Sequence, residues 1–156
     1  MKRYYLAYGS NLNLSQMALR CPGARRIGTG TIRNFELLFK GSKTGAYLTI
    51  EKKEGAMVPV GIFQVTASDE ERLDRYEGYP VFYYKTEVPI RITDGKHKGS
   101  LVQAFIYIMH EDRKIGIPSS RYIETCMAGY DDFGFDKALL QDAVKRSWEE
   151  CGWEAI

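Results

Sequence analysis

Arg3-Tyr4-Tyr5-Leu6-Ala7-Tyr8 runs straight into Gly9-Ser10-Asn11, and the reading of that junction decides the fold. An aromatic and apolar run of this length is typical of a buried strand. Gly-Ser-Asn ends it with turn chemistry. Residues 13–20 then read as a short helix with Leu14, Met17 and Ala18 inward, stopped before Cys21-Pro22-Gly23. A strand that halts just before a helix gathers several backbone N–H groups in one tight turn. Such groups form a concave anion site, helped by the partial positive charge of a helix start. Gly9 lets the backbone approach a ligand closely, and Ser10 and Asn11 add side-chain donors. The plainer reading is a strand-to-helix turn with Asn11 or Asn13 as its cap, and the turn taken alone favours it. Neither GxxxxGK[ST] nor GxGxxG is present, and no lysine falls within 8–13, which argues against a nucleotide or phosphate binder.

Beyond this junction the chain reads as strand-rich for two thirds of its length and helical in the last third. Residues 25–66 suggest several strands. Ile32, Phe35, Leu37, Leu38 and Phe39 mark one; Tyr47, Leu48 and Ile50, bounded by Gly45 and Gly55, mark the next; Val58, Val60, Ile62, Phe63 and Val65 mark a third, with Pro59 near its start. A helix at about 68–77 precedes two longer strands at about 82–92 and 100–109, joined by a hairpin loop over Asp94–Gly99. Helices near 119–130 and 136–150 follow. Asp136 is a plausible N-cap of the second, and Leu140, Val144 and Ser147/Trp148 keep roughly helical spacing. Strands followed mainly by terminal helices, with short turns between strands, predict an α+β domain with largely antiparallel pairing. Sequence alone leaves open whether the sheet closes.

The 156 residues fit one domain, taken as 1–156. Twenty-two basic and 20 acidic residues leave a formal charge of +2, too weak to suggest binding to nucleic acid or an anionic membrane. No apolar run is long enough to span a bilayer, and the N-terminus lacks a signal-length apolar core, so the expected compartment is the cytoplasm. Two histidines, His97 and His110, and three scattered cysteines, Cys21, Cys126 and Cys151, form no local zinc motif. Chemistry, if any, then falls to carboxylates, hydroxyls and backbone groups. The chain has 11 tyrosines, which can line a wet pocket and still pack.

One carboxylate stands out. Ser68 and Glu71 have capping-box spacing, and Gly78 and Pro80 should stop the helix they open. Glu77 is four residues from Leu73, hence near the inward face, yet it lies in the last turn, where the macrodipole disfavours negative charge. Local inconsistency of this kind concentrates at functional sites. Burial and the dipole would both raise its pKa, which suits a general base near neutral pH. Spacing alone divides evenly between that reading and an exposed glutamate at a frayed helix end. Tyr122 sits one position off the stripe Ile123, Met127 and Tyr130; its hydroxyl could point into a cleft, although the pattern alone favours a partly buried tyrosine at a helix start. His97 reads as a solvated loop residue, His110 as the end of a strand, and Cys126 and Cys151 as small packing residues. Tyr79, Phe82, Tyr83 and Tyr84 fit either core or pocket.

Three motifs in order resemble the gamma-glutamylcyclotransferase-like family over nearly the whole chain. They are Tyr5-Leu6-Ala7-Tyr8-Gly9-Ser10-Asn11-Leu12, then Leu73-Asp74-Arg75-Tyr76-Glu77-Gly78, then Pro118-Ser119-Ser120-Arg121-Tyr122. The resemblance implies a small mixed, largely antiparallel β-barrel with flanking helices. It implies intramolecular aminolysis of a gamma-glutamyl amide to 5-oxoproline, with release of an amine or amino acid. Glu77 would be the acid/base. Tyr5, Leu6, Ala7, Tyr8, Gly9, Ser10 and Asn11 would cradle the glutamyl head group, largely through backbone, and Tyr122 would contact the substrate. The expected partner is a small-molecule gamma-glutamyl substrate, with no cofactor and no metal. A non-catalytic small-molecule binder of the same fold is the alternative, and the leaving group is left unassigned.

Overall fold

In the computed structural model, residues 2–41 and 45–152 are described. The predicted first strand is β1 (Arg3–Ala7), and it occupies the middle of a five-stranded sheet of order β2-β3-β1-β5-β4. β2 spans Arg25–Lys40, β3 Tyr47–Val65, β4 Tyr83–Arg91 and β5 Leu101–Met109. β1 is antiparallel to β3, with Ala7 opposite Gly61, and parallel to β5, with Tyr5 opposite Phe105; the outer pairs are antiparallel. The mixed, largely antiparallel α+β class is as expected.

Two expectations about the strands are corrected. The several strands over 25–66 are two, because Gly55 does not end a strand. It lies inside β3 at φ 83 and donates its N–H to Asn34 Oδ1 at 3.0 Å, while Asn34 itself is at φ 64. Pairing shifts register between Arg33 and Phe35 and then continues. A bulge of this kind bends a ribbon without breaking it, and locally its residues look like a turn. The second correction concerns closure: the barrel is not closed, and the sheet is a strongly curled one with two edges. β2 and β4 touch at one end, where Thr93 N donates to Thr29 O at 2.9 Å and Thr29 N to Asp94 Oδ1 at 2.7 Å. A Cβ at Gly30 would lie 2.7 Å from Ile90 Cγ1, so glycine permits this approach. Farther along, the edges diverge over a cleft lined by Ile32, Phe35, Val88, Ile106 and Ile108.

Four helices flank the sheet: α1 (Leu14–Arg20), α2 (Ala67–Glu77), α3 (Ser120–Phe133) and α4 (Ala138–Ser147), the last followed by a π-helical turn over Trp148–Gly152. None of the described helices is long and apolar enough to cross a membrane. In α3 the buried stripe is Cys126, Gly129, Tyr130 and Phe133, displaced from the predicted Ile123 and Met127, which are half-buried. In α4 Lys137 holds the N-cap position without a side-chain bond, and Asp136 Oδ1 accepts from Ala138 N at 2.9 Å. Leu140, Ala143 and Ser147 face inward, whereas Trp148 is 48% exposed. Trp153 lies outside the described residues.

Gly129 fixes α3 against the turn that follows β1. A Cβ there would meet Asn13 N and the Leu12 carbonyl carbon, both at 2.7 Å. Both atoms are backbone and cannot swing aside. Alanine would gain about 1 kcal/mol of helix propensity, and overpacking against a fixed wall costs about 1–3 kcal/mol. Gly129→Ala is therefore expected to lower stability by up to about 2 kcal/mol, read as a lower urea midpoint at unchanged m-value.

Candidate active site

The site forms because β1 is shorter than its neighbours. β3 and β5 both run on past Ala7, with no strand between them. Their facing backbone groups would be left without partners, and buried orphans of this kind are costly. Side-chain hydroxyls take the place of the missing strand. Tyr8 donates to Tyr107 O at 2.7 Å, and Tyr83 to Leu48 O at 2.7 Å. Leu48 N donates to the Tyr122 hydroxyl at 3.1 Å, and Met109 N to Thr49 Oγ1 at 2.9 Å. The space enclosed is a cavity of about 280 Å³.

The floor of the cavity is the turn after β1. Gly9 leads into a 3-10 turn at Ser10–Leu12, and Asn13 caps α1 by accepting from Gln16 N at 3.1 Å. Asn11 is therefore not the cap. It is buried and donates to the Tyr5 hydroxyl at 2.9 Å. Leu12 N and Asn13 N bond back to Gly9 O and Ser10 O. Among the described residues the N–H groups of Gly9, Ser10 and Asn11 donate to no acceptor in the chain. Three successive free donors in one turn make an anion cradle.

Glu77 approaches from the end of α2. The capping box that opens this helix is Thr66 with Asp69, not Ser68 with Glu71: Asp69 N donates to Thr66 Oγ1 and Thr66 N to Asp69 Oδ2, both at 3.1 Å. Asp69 also accepts from Gly23 N at 3.2 Å, so a buried acid ties the helix start to the loop after α1. Leu73 is fully buried, and one turn later Glu77 is half-buried on the cavity wall, before Gly78 ends the helix in the left-handed conformation. Burial pushes the Glu77 carboxyl up to about 7, against a smaller downward pull from Arg20. No hydrogen bond from a described residue holds its charged form.

Of the predicted set, Tyr5, Leu6, Tyr8, Gly9, Ser10, Asn11, Glu77 and Tyr122 all line the cavity. Ala7 is buried but is not part of the lining. Phe82 and Tyr83 join the wall, whereas Tyr79 sits edge-on to Tyr107 and Tyr84 bonds Glu111 at 2.5 Å. His97 is exposed in the β4–β5 loop, and His110 contacts Pro80 O through Nε2 at 2.8 Å. Cys126 and Cys151 are buried. Among the described residues no group of three or more His, Cys, Asp or Glu side chains is placed to hold a metal ion.

The sequence reading missed several contributors. Tyr76 is 46% exposed at the rim and bonds Ser10 Oγ at 3.0 Å. Arg20 lies 3.5 Å from the centre of the Tyr76 ring and donates to Asn11 Oδ1 and to Gln16 Oε1. Tyr47, Leu48 and Tyr107 complete the lining. The i,i+4 spacing of Gln16 and Arg20 was visible, but not what lay opposite them. Burial raises the hydroxyl pKa values of Tyr5, Tyr8, Tyr83, Tyr107 and Tyr122, and all five remain neutral phenols around the carboxylate.

The chain is similar to known proteins in sequence and in fold. The family model described as "Gamma-glutamyl cyclotransferase, AIG2-like" matches residues 5–124. A gamma-glutamylcyclotransferase of Bos taurus is 29% identical over 137 residues, covering 83% of this chain and 71% of that protein. A solved structure of a gamma-glutamyl cyclotransferase superposes with a TM-score of 0.79 at 24% identity, covering 93% of this chain and 87% of the other. An uncharacterised Homo sapiens protein gives 0.77 at 26% identity, with 92% and 86% covered.

The Glu77 environment has a consequence for stability. Its carboxyl moves from 4.5 to about 7 on folding, so between these values the folded chain binds more protons than the unfolded one. Stability then falls as pH rises through this window. Glu77→Gln removes the buried charge. The variant should match the native protein below about pH 4 and exceed it by up to about 3 kcal/mol above about pH 8, measured as the difference in urea midpoints across pH.

Proposed function

The chain belongs to the gamma-glutamyl cyclotransferase, AIG2-like family, and we propose that it cyclises a gamma-glutamyl amide to 5-oxoproline with release of an amine or amino acid. The observation that carries this reading is Glu77, a carboxyl poised near pH 7 on the wall of the cavity, beside a cradle of free backbone donors. The substrate we assign is a small molecule, met in the cytoplasm.

A gamma-glutamyl unit carries its own nucleophile. Its α-amine and its side-chain amide carbonyl are separated by the right number of bonds for a five-membered ring. Holding the chain folded makes the attack effectively unimolecular, worth several powers of ten in rate. The N–H groups of Gly9, Ser10 and Asn11 suit the α-carboxylate, which anchors the amine beside the carbonyl. The α-ammonium is not a nucleophile until it gives up a proton, and Glu77 takes it. The amine nitrogen then bonds to the carbonyl carbon as the π electrons move to oxygen. Collapse restores the C=O and breaks the bond to the departing nitrogen, which receives the first proton from Glu77; Glu77 then relays the second proton from the ring nitrogen to the same amine, leaving a lactam N–H and an ammonium. Ring and amine account for every atom of the substrate, and Glu77 returns to its starting state. A pKa near 7 serves both transfers.

A panel of gamma-glutamyl amino acids, gamma-glutamyl alkylamines and a gamma-glutamyl isopeptide of lysine, read by 5-oxoproline formation, tests the activity and identifies the leaving group. With the best member, kcat/KM should fall tenfold per pH unit below about pH 7. Glu77→Gln should keep the fold and lose about 10²–10⁴-fold in turnover. Native-like 5-oxoproline release by that variant would remove Glu77 from the mechanism.

A further inference from the structure

A tyrosine hydroxyl has one proton and can donate only once. Of the seven tyrosines that line this cavity, three have that proton already committed. Tyr8 gives its proton to Tyr107 O, Tyr83 to Leu48 O, and Tyr107 to Asp74 Oδ1 at 2.6 Å. These hydroxyls can offer only lone pairs to a ligand. Tyr5 is different, because its oxygen accepts from the Asn11 amide.

That polarity depends on which way the Asn11 amide faces, and Arg20 decides it. The two ends of an amide are assigned from their partners. A guanidinium is a donor and never an acceptor, so the end of Asn11 bonded to Arg20 must be Oδ1. Nδ2 then faces Tyr5, and the Tyr5 oxygen must accept. Its proton is left with no acceptor among the described residues, on a ring that lines the cavity. The ring itself is held by Phe63, Phe105 and Tyr107 at 5.4–6.4 Å between centroids. Arg20 is fixed in turn by stacking on Tyr76 and by Gln16.

We infer that Tyr5 donates its hydroxyl hydrogen bond to the carbonyl oxygen of the gamma-glutamyl amide as negative charge develops there, with Arg20 and Asn11 as the positioning residues that set the direction of that bond. The inference rests on the cyclisation proposed above and adds the oxyanion donor to it. Tyr5 and Glu77 line the same cavity, and the Glu77 charge adds to burial in raising the Tyr5 pKa, so this hydroxyl shares the cavity with the base that serves both nitrogens on the reacting carbon. Burial keeps it protonated, so it donates a hydrogen bond and transfers no proton. Tyr122 also accepts from the backbone, but its oxygen lies 3.4 Å from where a Gly9 Cβ would stand, beside the anion cradle.

The test uses the full chain, the best substrate of the panel, and thermal melts on each variant. Native activity, and its loss in Glu77→Gln, report on the cyclisation itself; if the native chain forms no 5-oxoproline, both ideas fall. Given that activity, Tyr5→Phe keeps the ring and should lower kcat about 10²–10³-fold with little change in KM. Arg20→Met should lower kcat roughly tenfold, as when Asn11 holds the productive orientation a tenth of the time. In the Tyr5→Phe background Arg20→Met should cost no further kcat, since the two act through one bond. Arg20→Met should also move the acid limb of kcat/KM upward in both backgrounds, because Glu77 loses its neighbouring positive charge. A folded Tyr5→Phe with native kcat, or with only KM raised, overturns the inference and leaves the cyclisation standing. Additive losses in the double variant remove Arg20 and Asn11 from it.

Discussion

A central strand that stops early is the constraint from which the site follows. Had β1 continued between β3 and β5, its own backbone would have satisfied theirs, and the sheet would have been solid. Because it ends at Ala7, Tyr107 and Met109 of β5 take partners from elsewhere, the hydroxyls of Tyr8 and Thr49, while the Leu48 backbone at the far end of β3 is met by Tyr83 and Tyr122. Just beyond the same strand end, the N–H groups of Gly9, Ser10 and Asn11 have no acceptor among the described residues. Cavity and cradle thus adjoin one strand end. A buried tyrosine serves both, since its ring packs while its hydroxyl replaces a ladder hydrogen bond.

Glu77 sets the opposing requirement. A carboxyl without hydrogen-bonded support is costly to bury, and that cost is what brings its pKa to about 7. Arg20 offsets part of the cost from a stacked position on Tyr76. Were Arg20 paired directly with Glu77, the carboxyl would be stabilised in its charged form and would be a weaker base. Stability and basicity therefore pull in opposite directions at one residue, and Arg20 bonds Asn11 and stacks on Tyr76 instead of pairing with Glu77.

Much of this was legible in the chain. The tyrosine-rich strand, the Gly-Ser-Asn turn and the inward Glu77 are local patterns, and local patterns survive in sequence. Glu77 stood out because its distance from Leu73 and its place in the last helical turn disagreed. What failed did so for identifiable reasons. Thr66/Asp69 and Ser68/Glu71 have the same spacing, and only the tertiary bond from Gly23 to Asp69 selects the first pair. Gly55 beside Asn34 looks like a turn until the register on both sides is known. The open seam depends on how far β2 curls, and Arg20, Leu48 and Tyr107 gain their roles from neighbours distant in sequence. Such relations leave no local trace.

The wall and the rim of the cavity are built differently. Tyr8, Tyr83 and Tyr122 each bond the main chain, so replacing one disturbs the sheet itself. At the mouth, Tyr47 and Phe82 meet their neighbours edge-on, and Tyr76 bonds only a serine hydroxyl. No ladder position depends on them. Substitutions at the mouth can therefore accumulate while the folded state persists, and under the proposed function the departing amine is the feature most open to evolutionary drift. The backbone N–H groups of Gly9, Ser10 and Asn11 are the part such drift cannot readily reach, since a change of side chain leaves them in place.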